Sequence, residues 1–167
     1  MANLTQDIPT VELGARGNAT QPINLNLKAT TTVYRGSIAL TRSGVAVPAQ
    51  NANLLSTDIS WGVYENAGPG TADTGPGIVG GTTDGAVTVE VRTGTFFLAS
   101  STGADALGVT TLGKTVFVYD EQTVAATSGG AARPVAGVHI YTDSTRTDAP
   151  GIYAIKLGTN QGTGSPA

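Results

Sequence analysis

The chain has 167 residues, a formal net charge of −3, 40% hydrophobic residues and no cysteine. This length suits one domain, and the missing cysteines exclude disulfides, thiolate metal sites and thiol catalysis. Charged residues make up only 13%, which is below the ~25% of ordinary soluble domains, so we expect a surface of Thr, Ser, Asn and Gln suited to burial against a partner.

The first 22 residues have little core-forming pattern, and we expect them to form an extended arm with Ile8, Val11 and Leu13 as apolar contacts. The start of the chain lacks the basic and apolar regions of a signal peptide. No run approaches the ~18 apolar residues of a membrane span. These patterns predict a protein that is made and kept in solution, with no membrane partner.

Basic residues are scattered along the chain, and Lys28, Arg35 and Arg42 come nearest to a cluster. Nucleic-acid binding draws on several clustered Lys or Arg side chains. We therefore expect solvated charges on strand faces and no nucleic-acid partner, with contact to an anion or an acidic partner as the alternative.

Trp61 and Tyr64 flank Gly62 in a chain with only 5% aromatic residues. Large aromatic side chains anchor cores and interfaces. We expect these two to be core or subunit-interface anchors, and a sugar-stacking platform is the alternative.

Apolar and polar residues alternate with a period of two in several short runs, which is typical of half-buried strands. The runs cover residues 23–28, 87–92, 116–119 and 153–157. Turn residues separate them, at Ser43-Gly44, Asp84-Gly85, Thr102-Gly103, Ser128-Gly129-Gly130 and Ala149-Pro150-Gly151. This spacing predicts an all-β fold, a single small β-barrel or sandwich over residues 23–157, with one helical turn at residues 104–107 and a C-terminal tail at 158–167.

A Gly/Pro-rich loop is expected at residues 67–85, because its composition disfavours regular structure. Within it, residues 75–80 read G-x-G-x-x-G. A dinucleotide fingerprint needs a strand before it and a helix that begins inside it. Another Gly-rich stretch follows instead, so we expect no cofactor here.

His139 is the only histidine, so any catalytic triad or imidazole-ligated metal would depend on it alone. The alternation around it predicts a strand-face or interface histidine with a satisfied hydrogen bond. Asp120, Glu121 and the loop from Asp143 to Asp148 hold the densest carboxylates, for which we expect turn-stabilising, solvated roles. Calcium binding and acid–base catalysis are the alternatives. Together these residues predict a protein that is not an enzyme and has no cofactor.

One long segment carries a resemblance to a known family. It comprises VEVRTGTFF at 89–97, GKTVFVYDEQTVA at 113–125, AGV at 136–138 and GIYAIKL at 151–157. This pattern, which covers about residues 85–157, resembles the small β-rich decoration, or cement, proteins of tailed bacteriophage heads.

The resemblance implies a structural virion protein, made in the host cytoplasm, that binds the outer surface of the assembled head and stabilises contacts between major capsid subunits. It also implies a homo-oligomer, with a trimer favoured. The interface residues we would test are Ile8, Val11 and Leu13 in the arm, Trp61 and Tyr64, and Arg92. A carbohydrate- or host-surface-binding β-sandwich and a minor tail or head-completion protein remain as alternatives.

Overall fold

The computed structural model describes residues 22–65, 76–147 and 151–157. Those residues form an all-β fold with a small closed barrel, which confirms the fold class expected from the sequence. Strands β1 to β12 have the following bounds: Ile23–Asn26, Thr32–Val33, Ile38–Arg42, Val45–Pro48, Ile59–Tyr64, Ile78–Val79, Thr88–Arg92, Gly94–Ser100, Thr115–Val118, Thr123–Ala125, Val135–Thr142 and Tyr153–Leu157. Short 3-10 helices lie at Asn51–Asn53, Gly103–Asp105 and Val109–Thr111.

Five strands that lie between residues 23 and 92 form an antiparallel sheet in the order β1-β7-β5-β3-β4. The hairpin between β3 and β4 turns at Ser43 and Gly44, which have φ angles of 52° and 84°. Two central residues with positive φ are the mark of a type I′ turn, whose twist matches the strands that it joins. At one end the sheet curls, because Lys28 N donates to Ala46 O at 3.0 Å and so brings the end of β1 to β4.

The closed barrel consists of the last five strands, in the order β10-β8-β12-β11-β9. Neighbouring strands are antiparallel except for β10 and β8, which run parallel. Closure leaves these strands without free edges. The remaining strands, β2 and β6, form a two-stranded ribbon.

Two apolar cores result from the alternation along β3, where Ile38 and Leu40 face the first core and Ala39 faces the second. The first core joins the sheet to the barrel, and its buried members are Ile38, Leu40, Val47, Ala49, Val63, Phe96, Leu98, Leu107, Val116, Val118, Val124, Ala136, Ile155 and Leu157. The second core lies on the other side of the sheet and contains Leu27, Val33, Ala39, Ala46, Tyr64, Val89 and Val91. The five-stranded sheet is therefore covered on both faces along β3, β4 and β5, whereas Asn24 and Asn26 of β1 and Thr88 of β7 are exposed.

Two glycines allow neighbouring strands to approach closely. A Cβ at Gly62 on β5 would lie 2.0 Å from the carbonyl oxygen of Arg92, and one at Gly137 on β11 would lie 2.0 Å from that of Lys156. Any side chain at these positions would overlap the backbone of the adjacent strand. Glycine is thus required where β5 meets β7 and where β11 meets β12.

Several expected segments lie outside the residues that the structure describes. They are the arm through residue 21, the tail at 158–167 and the part of the Gly/Pro-rich loop at 67–75. The rest of that loop contains the two-residue strand β6 and a turn in which Gly85 N donates to Leu27 O at 2.9 Å. The expected helical turn occurs one residue early, at Gly103–Asp105.

Candidate functional site

The corner between β9 and β10 holds two adjacent carboxylates, Asp120 and Glu121. Asp120 Oδ1 accepts hydrogen bonds from Gln122 N at 3.1 Å and Thr123 N at 2.9 Å, so the expected turn-stabilising role is confirmed. The expected solvation is wrong, because Asp120 is 8% exposed and Glu121 2% exposed. The corner is buried because it meets the sheet, where Ile38 N donates to Glu121 O at 2.7 Å.

His139 lies inside the structure, on the β11 face opposite its exposed neighbour Ile140. Its Nδ1 is 2.9 Å from Thr111 Oγ1, and its Nε2 is 3.1 Å from Tyr141 O and 3.0 Å from Thr142 Oγ1. The Tyr141 carbonyl can only accept, so Nε2 carries a proton. Burial lowers the pKa of His139, because the charged imidazolium is poorly solvated there.

His139 joins three parts of the barrel through hydrogen bonds and one ring contact. Thr111 belongs to the 3-10 helix at Val109–Thr111, and Thr142 ends β11. The ring also meets the Tyr153 ring of β12 edge to face, with centroids 5.5 Å apart. This geometry fits the expected satisfied histidine, and the ring fastens the helix to the strands instead of pointing at an open cleft.

Two buried or half-buried ion pairs were not found from the sequence. Arg42 binds Asp58 through both ends of its guanidinium, with Nε–Oδ1 and Nη2–Oδ2 each 2.8 Å, although Arg42 was expected to be solvated. The hydrogen bond to Asp58 raises the pKa of Arg42. Arg133 Nη1 donates to Asp105 Oδ2 at 2.8 Å, and hydrogen bonds from Thr127 and Arg133 lower the pKa of Asp105.

These pairs hold loops in place. Arg42 also donates to Asn53 O at 2.5 Å, and so fixes the segment that leads into β5. The partners lie 16 and 28 residues apart in sequence. No local spacing rule connects residues so far apart, which is why the sequence carried no sign of either pair.

Tyr64 is a core residue, which is one of the two roles that the sequence predicted for it. Its side chain is fully buried and its hydroxyl donates to Val47 O at 3.0 Å. Burial raises the pKa of Tyr64. Trp61 is half-buried against the second core, and its Nε1 donates to Thr41 Oγ1 at 2.8 Å. The two rings therefore form no open platform on which a sugar could stack.

Arg92, another expected interface residue, pairs within the chain. Its Nη2 lies 2.5 Å from Glu65 Oε1, and Arg35 Nη2 lies 3.8 Å from the same oxygen. The Arg92 side chain is 40% exposed and remains accessible to a partner. The other expected interface residues, Ile8, Val11 and Leu13, lie outside the described residues.

The remaining sequence motifs form no ligand site in the described part of the chain. Residues 78–79 of the G-x-G-x-x-G stretch form strand β6, and no helix begins there. Asp143 Oδ1 accepts from Thr145 N at 3.0 Å and Thr145 Oγ1 at 2.7 Å, and these hydrogen bonds lower its pKa. Asp148 lies outside the description. Among the residues described, no three His, Asp or Glu side chains are grouped to hold a metal ion.

An exposed apolar surface at one end of the barrel also escaped the sequence analysis. It consists of Val109, Leu112, Ile140 and Tyr141, and we call it the barrel-end patch. Val109 is 81% exposed, and the other three are between 44% and 48% exposed. All four lie within two residues of the contacts that His139 makes with the 109–113 segment.

The backbone explains why two consecutive residues of β11 belong to this patch. The pairing of β11 with β12 shifts register between His139 and Tyr141. Such a bulge breaks the alternation of side chains between the two faces. Ile140 and Tyr141 are therefore both exposed, which strict period-two alternation excludes.

Comparison with models of protein families, with curated proteins and with solved structures finds no match to this chain. In the part of the chain that the structure describes, no helix has the length and apolar character needed to cross a membrane.

Proposed function

We propose that this protein is a structural component of a virion that binds the outer surface of an assembled bacteriophage head and stabilises contacts between major capsid subunits. The observation that carries the proposal is the correspondence between the resembling pattern and a complete structural unit. The pieces of the pattern fall on β7 to β12, which include all five strands of the closed barrel. The resemblance thus covers a folded unit and not scattered apolar pieces.

The use of polar side chains supports a binding role over a catalytic one. Asp120, His139 and Asp58 direct their hydrogen bonds inward, to turns and neighbouring strands. Catalysis needs polar groups that converge on a position where substrate can lie. Side chains used in this way favour stoichiometric binding.

The proposed mechanism is stabilisation by mass action. A protein that binds the assembled lattice, and not the free subunit, shifts the equilibrium toward the lattice. Several weak contacts made at once raise the effective concentration of each. We propose the major capsid protein as the partner, a trimer as the bound form, and the outer face of the head as its place in the virion.

The test is co-sedimentation of the purified protein with isolated heads that lack it, measuring the number of copies bound per major capsid subunit. The proposal expects saturation at a fixed ratio near one per subunit and heads that survive higher temperature. Absence of binding would overturn it. Saturation at a few copies per head would instead favour the minor tail or head-completion alternative.

Deletion of residues 1–21 tests the expected role of the arm. We expect a folded core that no longer binds heads, because the arm is expected to contribute contacts more than core. Circular dichroism provides the control for folding. Wild-type affinity after the deletion would refute the role of the arm and leave head binding to the barrel and sheet.

A glycan array separates the carbohydrate-binding alternative. Binding of a defined glycan, lost on Trp61→Ala and retained by the wild-type fold, would favour it. The burial of Tyr64 gives that alternative no support.

A further inference from the structure

The barrel-end patch is the most concentrated exposed apolar surface of the described chain. It holds four of the seven large hydrophobic residues that are exposed there, and the other three are Leu55, Ile59 and Val79. Single exposed apolar residues are ordinary on protein surfaces, whereas grouped ones mark sites of interaction. The grouping therefore indicates that the barrel-end patch is a binding surface.

Two lysines flank this patch, and in the described part of the chain the one carboxylate beside it, Asp143, accepts hydrogen bonds from Thr145. Lys114 follows Leu112 by two residues, is exposed, and its carbonyl accepts from His139 N at 3.1 Å. Lys156 is also exposed and lies opposite Val138, two residues before Ile140. A complementary partner would be apolar with acidic residues beside it.

The segment Asp7–Leu13 of this chain has that chemistry. It reads DIPTVEL, with Ile8, Val11 and Leu13 as apolar residues and Asp7 and Glu12 as acidic ones. It contains no basic residue. Its position in the sequence also gives it access to the patch.

The reach of this segment can be calculated from strand register. Ile23 pairs with β7, which continues into β8; β8 pairs with β12, and β12 with His139 on β11. With about 4.8 Å between strands and about 3.3 Å per residue along them, this path is at most about 32 Å. The fifteen residue steps from Ile8 to Ile23 span up to about 50 Å when extended, and the ten steps from Leu13 to Ile23 span about 33 Å. The segment can therefore reach the patch of its own chain.

We propose that the barrel-end patch is a docking surface for residues 7–13 of the same chain. Apolar contact with the four patch residues supplies the attraction, and Lys114 and Lys156 face the acidic side chains. A tethered segment has an effective concentration of about millimolar. In a solution of about one micromolar protein it therefore outcompetes the same segment of another copy. The inference concerns the free protein and does not depend on head binding.

Cross-linking tests the proposal cleanly, because the natural chain has no cysteine. We would introduce Val11→Cys with Val109→Cys and treat the full-length protein, at about one micromolar, with a short flexible bis-maleimide. The matched control pairs Val11→Cys with Ile59→Cys. Ile59 is 53% exposed, and its path from Ile23 through β7 and β5 is shorter, about 27 Å, so reach alone favours the control.

We expect intramolecular cross-linking, measured by intact mass, at least about tenfold faster for the Val109 pair than for the Ile59 pair. Adding Ile8→Ser and Leu13→Ser should remove the difference, and Glu12→Lys should reduce it. If Val109→Cys impairs folding, Leu112→Cys replaces it. Equal rates for the patch and control pairs would overturn the proposal.

A mixture of two single-cysteine proteins, Val11→Cys and Val109→Cys, identifies which chain supplies the segment. Cross-linked dimers forming as fast as the intramolecular product would show that a neighbouring copy occupies the patch, which would also overturn the proposal. A rate of dimer formation at least about a hundredfold lower supports it.

Discussion

Replacement of Asp120 is the sharpest test of how the barrel is held to the sheet. Its Oδ1 accepts two backbone N–H groups, from Gln122 and Thr123, in a corner that is almost fully buried. The carbonyl groups of the same corner accept two more hydrogen bonds, from Ala99 N to Gln122 O at 3.0 Å and from Ile38 N to Glu121 O at 2.7 Å. Loss of the carboxylate therefore loosens contacts with β8 and β3 as well as the turn itself.

The expected magnitude follows from the two hydrogen bonds. Each bond to a charged acceptor contributes about 1.5–3 kcal/mol, and buried N–H groups left without an acceptor add to the loss. We expect Asp120→Ala to lower the free energy of unfolding by about 3–6 kcal/mol. At about 3 °C per kcal/mol for a chain of this size, Tm falls by about 9–18 °C. Asp120→Asn keeps an oxygen acceptor and should cost about 1 kcal/mol.

The assay is urea unfolding followed both by circular dichroism and by the fluorescence of Trp61, the only tryptophan. Asp143→Ala serves as a matched control, because Asp143 makes the same kind of turn bond to Thr145 at the surface. The loss in free energy of unfolding for Asp143→Ala should be much smaller. Equal losses for Asp120→Ala and Asp120→Asn would refute the acceptor role, and a loss for Asp120→Ala no larger than the control's would refute the argument from burial.

Three further perturbations test the strands, the histidine and the ion pair. Gly137→Ala places a Cβ 2.0 Å from the carbonyl oxygen of Lys156 on β12, so we expect the free energy of unfolding in urea to fall by several kcal/mol. Gly108→Ala is the control, because a Cβ at Gly108 has no atom within 4 Å, and its effect should be near zero. The pKa of His139 is lowered in the folded state. The contribution of His139 to stability is therefore complete above the unfolded-state pKa of about 6.5, and it declines as pH falls from there toward the folded-state pKa. The free energy of unfolding measured from pH 8 to 5 should show this decline, and His139→Gln should remove it. Arg42→Met leaves the carboxylate of Asp58 buried without its guanidinium partner, so the free energy of unfolding should fall by about 3 kcal/mol. The double variant with Asp58→Asn should recover part of that loss. Absence of this recovery in a double-mutant cycle would contradict the pairing.

The fold class and most strand positions could be predicted because the period of two is a local property of the sequence. The runs around Val89 and Val116 bury the residues that alternation assigns to the core, and the turn at Ser43-Gly44 occurs where its residue types place it. Closure of the last five strands into a barrel could not be predicted. It depends on the parallel pairing of β10 with β8, which no local pattern encodes.

Site residues were harder to predict, because their roles depend on long-range contacts. The solvation expected for Asp120 was wrong because the corner packs on β3. The second core of the sheet decides that Tyr64 takes the core role, one of the two that were expected for it. The barrel-end patch was missed for a different reason. A bulge after His139 exposes two successive apolar residues, and a bulge leaves no mark in hydrophobic periodicity.

The distribution of these features bears on how the protein would act on a capsid. The closed barrel and the five-stranded sheet share one core. A force applied to the barrel is therefore transmitted to the sheet through packed side chains and through the hydrogen bond from Ile38 N to Glu121 O. Close-packed protein interiors transmit strain and deform little. A stabilising protein needs that stiffness, because a binding energy spread over several weak contacts holds capsid subunits together only if the body between the contacts does not yield. Under the proposed function, variants of the Asp120 corner should therefore lower the thermal stability of heads even where the number of copies bound per head is unchanged.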